Sequence, residues 1–110
     1  MEKFALLFRG GRSEELPELK GSHMQKWFEW VNKLKSDGKY LSGEPLLPGG
    51  KQISGTGKIV TDGPFTESKD MIGGFFIVQV ANYAEAIKIC DDYPDFNFGG
   101  TVEIRKVPTM

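Results

Sequence analysis

The chain has 110 residues, 39% of them hydrophobic, and its 14 basic residues nearly balance its 15 acidic ones. This length suits one domain with its own core, so we expect a single domain over residues 1–110. The even charge, without a basic stripe, argues against nucleic-acid binding through phosphates, and the lack of a long apolar stretch argues against a membrane partner.

The first part of the chain predicts a strand followed by a helix. Residues 3–9 form a short apolar run that is typical of a buried strand. Ser22 can cap a helix, because Gln25 three positions later completes a capping box, and Gly38 can end it. Apolar residues recur at helical spacing and predict the inward face of this helix: Met24, Trp27, Phe28, Val31 and Leu34.

The rest of the chain predicts four strands and a second helix. The strands are expected at 51–53 and 58–60, which pair through a glycine-rich turn, at 74–81 and at 101–107. Asn82 and Glu85 repeat the capping-box spacing before a helix whose apolar face is Tyr83, Ala86, Ile87 and Cys90. The order β-α-β-β-α-β with an extra hairpin strand predicts an α+β, ferredoxin-like antiparallel sheet with its helices on one face.

Both faces of the strongest predicted strand, 74–81, are apolar. Phe75 and Ile77 point one way, whereas Phe76 and Val78 point the other. Two helices in a chain of this length can cover only one face of a sheet, so a second copy is the simplest cover for the other face. We therefore expect a homodimer; the alternative is a loop that covers the second face.

The stretch from Thr61 to Lys69, TDGPFTESK, combines an apolar strand end with a stiff Asp-Gly-Pro turn. An ionisable Asp62 held between such neighbours is a candidate binding or catalytic carboxylate. Ordinary turns also use aspartate, because its side chain accepts hydrogen bonds from the next backbone amides. Turn chemistry alone favours this structural role for Asp62 over a binding or catalytic one.

The same stretch resembles the signature of the YCII-related family, also called the DGPF-domain family. Further segments follow in the order of that family: Phe4–Gly11, His23–Trp27, Ser42–Leu46, Gly73–Phe75 and Gly99–Arg105. The resemblance covers nearly the whole chain and implies a dimeric α+β barrel, in which two sheets pack face to face. It also implies an acid–base pair made of a histidine on the first helix and the aspartate that matches Asp62.

His23 is the only histidine and has the only side chain whose ordinary titration falls near neutral pH. It lies one turn before Trp27, in the inward stripe of the first helix, which suits a general acid or base. A helix-terminal histidine bonded to a nearby carbonyl is the alternative.

Five other residues are candidate ligand contacts, and each has a structural alternative. Arg9, Glu67 and Lys69 could line the mouth of a pocket, although charged residues at strand ends are usually solvated. Trp30 and Phe65 could supply an aromatic wall, although aromatic residues at helical spacing more often belong to the core.

No metal or organic cofactor is expected. One histidine and one cysteine lack the spacing of a zinc site, and the glycines match neither a phosphate-binding loop nor a dinucleotide fingerprint. Cys90 lies on the side of the second predicted helix that faces the protein core, and we interpret it as a small buried hydrophobic residue. With a single cysteine and no signal-peptide pattern at its start, the chain is expected in the cytoplasm.

Two functions from different classes remain. The first is a binder of a small polar metabolite near the Asp-Gly-Pro-Phe loop, with metal-free acid–base catalysis by Asp62 and His23. The alternative is a non-catalytic sensor or interaction module, because the resemblance implies relatives linked to sigma factors and the chain has few reactive groups.

Overall fold

A computed structural model describes residues 1–10, 17–47, 49–62 and 71–108, and for residues 17–23 it describes the backbone alone. The elements are β1 (Glu2–Arg9), α1 (Pro17–Ser36), β2 (Tyr40–Pro45), β3 (Lys51–Ser54), β4 (Ile59–Asp62), β5 (Ile72–Val80), α2 (Tyr83–Ile89) and β6 (Thr101–Lys106). Two short 3-10 turns, Cys90–Asp92 and Phe96–Phe98, lie between α2 and β6. None of the helices in these ranges is long and apolar enough to cross a membrane.

Four strands form one antiparallel sheet in the order β2-β5-β1-β6. With α1 between β1 and β2 and α2 between β5 and β6, this is the predicted ferredoxin-like arrangement. Within the part of the chain that the structure describes, strands β3 and β4 pair only with each other, and Lys51 lies opposite Asp62 in their register. The predicted extra hairpin is therefore a separate two-stranded ribbon inserted between β2 and β5.

Helix α1 starts earlier than the sequence pattern predicts. It begins at Pro17, so Ser22 lies inside the helix and the predicted cap at Ser22 is wrong. Proline suits the first turn, where its missing N–H is not needed, whereas Gly21 disfavours an earlier start by local propensity alone. The predicted end is confirmed, because the Gly38 N–H bonds to the Lys35 carbonyl with Gly38 at φ 70°.

The inward face of α1 is also narrower than predicted. Phe28 is 59% exposed and Met24 is 44% exposed, so neither belongs to the core. Leu34 is buried as predicted, with Trp27 and Val31 packed beside it, and Trp30 is buried as well. A rotation of about 100° per residue carries position 28 away from the sheet when positions 27, 30 and 34 face it.

The second helix keeps its predicted cap. The Glu85 N–H bonds to Asn82 Oδ1 at 3.0 Å, and the Glu85 carboxylate accepts the Ala81 N–H. Ala86 and Cys90 are buried as predicted, whereas Ile87 is 59% exposed and is not part of the core. Burial, followed by the charge of Asp91, raises the pKa of the Cys90 thiol to about 11, so it behaves as a neutral core residue near pH 7.

The core lies between the helices and one face of the sheet. Phe4, Leu6 and Phe8 on β1 alternate with half-buried or exposed neighbours, and Val78 and Val80 on β5 are fully buried. At one end this core is almost entirely aromatic. The ring of Phe8 contacts those of Trp27, Trp30, Phe76 and Tyr93 at centroid distances of 5.4, 5.9, 4.9 and 5.3 Å.

The other face of the sheet carries a half-buried apolar centre. Leu7 lies opposite Phe75, and Ala5 lies opposite Ile77, in the register of β1 and β5. The shortest extent of the molecule is 18 Å, as expected for one layer of sheet and one of helices. We call Ala5, Leu7, Phe75 and Ile77 the open face.

Candidate functional site

Asp62 ends β4 on the separate hairpin, and its side chain is 90% exposed. Its carboxylate is paired with the ammonium group of Lys51 on the opposite strand. Every described residue of 46–62 is exposed, including Ile53 and Val60, so this hairpin contributes nothing to the core. Within the described residues, Asp62 is therefore a solvent-facing carboxylate with a cross-strand lysine partner.

Four other candidates fall partly or wholly outside the described residues. Phe65, Glu67 and Lys69 follow β4 in the segment 63–70, which is not described. His23 lies in α1, one turn before Trp27, with its backbone described and its side chain outside the described part. Their roles as binding or catalytic residues stay predictions.

Arg9 lies at the end of β1, opposite the start of β5. Its register partner on β5 is Ile72, the first residue of that strand. Arg9 Nη1 bonds to Glu103 Oε1 at 2.6 Å, and Arg105 Nη1 reaches the other oxygen of the same carboxylate at 3.3 Å. The hydrogen bond from Arg9, then that from Arg105, lowers the pKa of the Glu103 carboxyl. This charged cluster borders the open face beside Leu7.

Trp30 belongs to the core. Its side chain is 3% exposed, and its indole N–H donates to the Ile89 carbonyl at 2.9 Å. It is one of the residues that line a cleft of about 290 Å³ between α1 and α2. The walls of this cleft carry both signs of charge, and Lys33 and Asp92 pair across it at 3.1 Å. Trp30 therefore stabilises the helix pair, and its role as a ligand wall stays a prediction.

Asp95 is a buried carboxylate that the sequence did not single out. It is 9% exposed, and Trp27 Nε1 donates to its Oδ1 at 3.3 Å. Its backbone carbonyl accepts the N–H groups of Phe98 and Gly100, both at 2.9 Å. Tyr93 lies beside it, and burial together with the negative charge of Asp95 raises the pKa of the Tyr93 hydroxyl.

Glycines let three backbone segments meet next to Asp95. A Cβ on Gly100 would lie 2.7 Å from the Tyr93 hydroxyl and 2.8 Å from Asp95 Cβ. A Cβ on Gly10 would lie 2.8 Å from the Gly99 carbonyl oxygen, and Gly10 has φ 79°. The closing Gly-Gly pair was the sequence signal for this close approach, but the pair alone does not say which side chain it packs against.

No group of three or more histidine, cysteine or acidic side chains that could hold a metal ion occurs in the described ranges. Among the described acidic residues, two differ most in their surroundings: Asp62 is exposed on the β3–β4 hairpin, and Asp95 is buried. The Arg9–Glu103 pair lies at the end of β1, the strand that Gly10 follows.

Comparisons with known proteins agree with the fold. A family model described as the YCII-related domain matches residues 3–110. A solved structure of 5-chloro-2-hydroxyhydroquinone dehydrochlorinase from Burkholderia phenoliruptrix AC1100, in complex with 2,5-dihydroxybenzoquinone, has a TM-score of 0.51 and 18% identity to this chain. The match covers 97% of this chain and 95% of that chain. A search of curated proteins finds no match.

Proposed function

Because the chain belongs to the YCII-related domain family, we propose that it binds a small polar metabolite and performs metal-free acid–base chemistry on it. The site we propose lies at the end of β1, where segment 63–70, which carries most of the Asp-Gly-Pro-Phe signature, joins β5. His23 is the general acid or base, and Asp62 with Arg9, Phe65, Glu67 and Lys69 forms the surroundings of the ligand.

One observation carries this proposal. Polar and charged groups converge at the end of the sheet where β1 stops, with Arg9 and Glu103 on the strands and the buried Asp95 close to the following Gly99–Gly100 pair. Asp62 ends β4, and the next described strand, β5, begins at Ile72 opposite Arg9. Ligand sites typically combine apolar walls with a few convergent polar groups, and the aromatic core supplies such walls at this end.

The chemistry of the structural neighbour supports the reaction class. That protein is a dehydrochlorinase, and the molecule in its complex is a small hydroxylated quinone. A small, polar, ring-shaped substrate and a proton-transfer step are consistent with the histidine and the carboxylates that we assign to this site. We extend only this class, a small oxygenated compound, to the present chain.

A thermal-shift screen against small oxygenated metabolites near pH 7 tests the proposal. A ligand at about one hundred times its dissociation constant adds roughly 2.7 kcal/mol to the free energy of unfolding, an easily measured rise in melting temperature. Asp62→Asn and His23→Ala should reduce this rise, whereas Asp91→Asn, an exposed acid beyond α2, should leave it unchanged. A hit that survives both site substitutions would contradict the site, and a flat panel would favour the interaction-module alternative.

We also infer that the working form is a cytoplasmic homodimer in which two open faces pack together. The apolar centre of the open face supports this assembly. The charges at the two edges of the open face also support the dimer. Glu44 lies beside Phe75 on the β2 edge, and Arg105 lies beside Ala5 on the β6 edge. A two-fold axis that places one edge over the other would pair these opposite charges. The free, buried thiol of Cys90 suits a reducing compartment.

Replacing Ile77 by lysine should convert the dimer to a monomer that keeps its fold. A charged side chain on the open face is solvated in a single chain but loses its water in a packed dimer. Sedimentation equilibrium should give twice 12.3 kDa for the unchanged protein and 12.3 kDa for Ile77→Lys. Glu29→Lys, on the exposed side of α1, is the control and should stay dimeric. Equal masses for the unchanged protein and Ile77→Lys would contradict this interface.

A further inference from the structure

We propose that the β3–β4 hairpin belongs to the dimer interface, and that one face of it packs against the same face of the hairpin from a second copy of this chain. The inference rests on the open-face dimer proposed above and adds a second contact to that assembly. It depends on no ligand and on no catalytic role of Asp62.

The hairpin has two unlike faces, because cross-strand partners lie on the same side of a two-stranded ribbon and successive pairs alternate sides. Ile53 lies opposite Val60, and the next pair on that side is Lys51 with Asp62. We call these four residues the hairpin face. The other side carries Gln52, Ser54, Ile59 and Thr61. The hairpin face therefore combines a pair of aliphatic side chains with one lysine and one aspartate.

The hairpin face is uncovered in a single chain. Ile53 is 67% exposed and Val60 is 59% exposed. A two-stranded hairpin on its own is at best marginally stable in water and needs packing on an apolar side. Among the described strands, β3 and β4 pair only with each other. These observations favour a hairpin whose aliphatic side is covered by another molecule.

The charges of the hairpin face fit a second copy of itself. A two-fold axis that runs along the hairpin places β3 of one copy over β4 of the other. Lys51 then lies over Asp62 of the partner subunit, and Ile53 lies over Val60 of the partner subunit. Because of the symmetry each contact is made twice, so opposite charges meet on both sides of the apolar centre. A uniformly acidic or basic partner would instead meet one like charge.

Both hairpins leave the open-face dimer at the same end. The insertion that contains the hairpin starts after Pro45 and ends at Ile72, on the neighbouring strands β2 and β5. The axis that places the β2 edge over the β6 edge runs parallel to the strands, so it keeps both insertions at one end. With about 4.8 Å between strands and about 10 Å between sheets, the two insertion points lie roughly 14 Å apart. Each hairpin strand has four residues and is about 13 Å long, so the hairpins are long enough to meet.

The hairpin contact is small and stabilises the dimer without holding it together alone. Each copy contributes two aliphatic side chains, far less than the roughly 800 Å² that each partner buries in a stable interface. Ile77→Lys on the open face is therefore still expected to give a monomer, whereas a change on the hairpin face should only weaken the dimer.

Ile53→Lys tests the hairpin face, and Gln52→Lys is its matched control, because it adds the same charge to the neighbouring position on the other side of the ribbon. Sedimentation over a dilution series gives the dimer dissociation constant. Ile53→Lys should raise it at least about tenfold, since each dimer buries the new charge twice. Gln52→Lys should change it by no more than about twofold. Neither position contributes to the core, and circular dichroism checks that both variants are folded.

Equal dissociation constants for Ile53→Lys and the unchanged protein would overturn the proposal and leave the hairpin face to a different partner. If Ile77→Lys still gave a monomer in that case, the open-face dimer would stand without the hairpin contact. A monomeric unchanged protein would overturn both. None of these measurements needs a ligand, so a flat metabolite panel would contradict the proposed function without changing their outcome.

Mixing two charge variants tests which surface of the second copy the hairpin meets. Lys51→Glu leaves two acids on the hairpin face and Asp62→Lys leaves two lysines, so the pair within each hairpin is lost in both variants. Each variant alone should dimerise more weakly than the unchanged protein, because like charges face each other across the axis. An equimolar mixture should dimerise about tenfold more tightly than either variant alone. A mixture no tighter than its components would overturn the pairing of hairpin with hairpin.

Discussion

Truncation of Phe8 to alanine is expected to lower the free energy of unfolding by about 3–5 kcal/mol, the usual effect of removing a buried aromatic side chain. Phe8 is 5% exposed and lies at the centre of the aromatic end of the core. It stacks on Tyr93 with an interplanar angle of 12° and meets Phe76 edge to face at 86°. Removing this ring opens a cavity that large, rigid neighbours cannot refill.

The matched control for Phe8→Ala is Phe28→Ala, which removes the same ring from an exposed position on α1. We expect that control to change stability by no more than about 0.5 kcal/mol. Chemical denaturation at one fixed protein concentration gives both values, because the dimer proposed above would make stability depend on protein concentration. A comparable loss in both variants would mean that Phe28 is covered in solution, and would contradict its exposed position.

Most of the fold could be predicted from local sequence patterns. The run at 3–9, the hairpin around Gly55 and the Asn82 cap each depend on residues within a few positions of one another. The structure contains the corresponding elements: β1, the β3–β4 pair and the start of α2. The order of those elements then leaves few arrangements for a sheet with two helices, and the ferredoxin-like arrangement is confirmed.

The start and the face of α1 could not be predicted in the same way. Gly21 weakens a helix locally, yet packing of Trp27, Trp30 and Leu34 on the sheet stabilises the whole helix, and most helix stability in proteins comes from such packing. Phe28 resembles a core residue in the sequence because position 28 is one turn after Met24. The choice between two overlapping apolar stripes depends on which one meets the sheet, and a single helix does not contain that information.

The residues of the candidate site also differ in whether they could be predicted from local sequence. Asp62 could be found from its Asp-Gly-Pro turn, because turn chemistry is local. Asp95 could not, because what distinguishes it is a contact with Trp27, 68 positions away in the chain. An aspartate between a proline and a phenylalanine has no recognisable catalytic motif. Its burial depends on the packing of Gly100 and Tyr93 around it.

Substitution of Gly10 by alanine is the second change with a large expected effect, because it strains the backbone and also creates a clash. At φ 79°, a residue with a Cβ costs about 1–2 kcal/mol. The new Cβ would also lie 2.8 Å from the Gly99 carbonyl oxygen, which belongs to backbone and cannot rotate away. Such overpacking typically costs about 1–3 kcal/mol more.

Gly99→Ala separates these two effects, because Gly99 has the same φ of 79° but a Cβ added there would meet no atom within 4 Å beyond its own chain neighbours. We expect Gly99→Ala to lose only the part of the unfolding free energy that comes from backbone strain. The difference in unfolding free energy between the two variants then measures the cost of the clash. The clash also pushes on Gly100, whose N–H bonds to the Asp95 carbonyl. Equal stabilities for the two variants would contradict the close approach of Gly10 to Gly99.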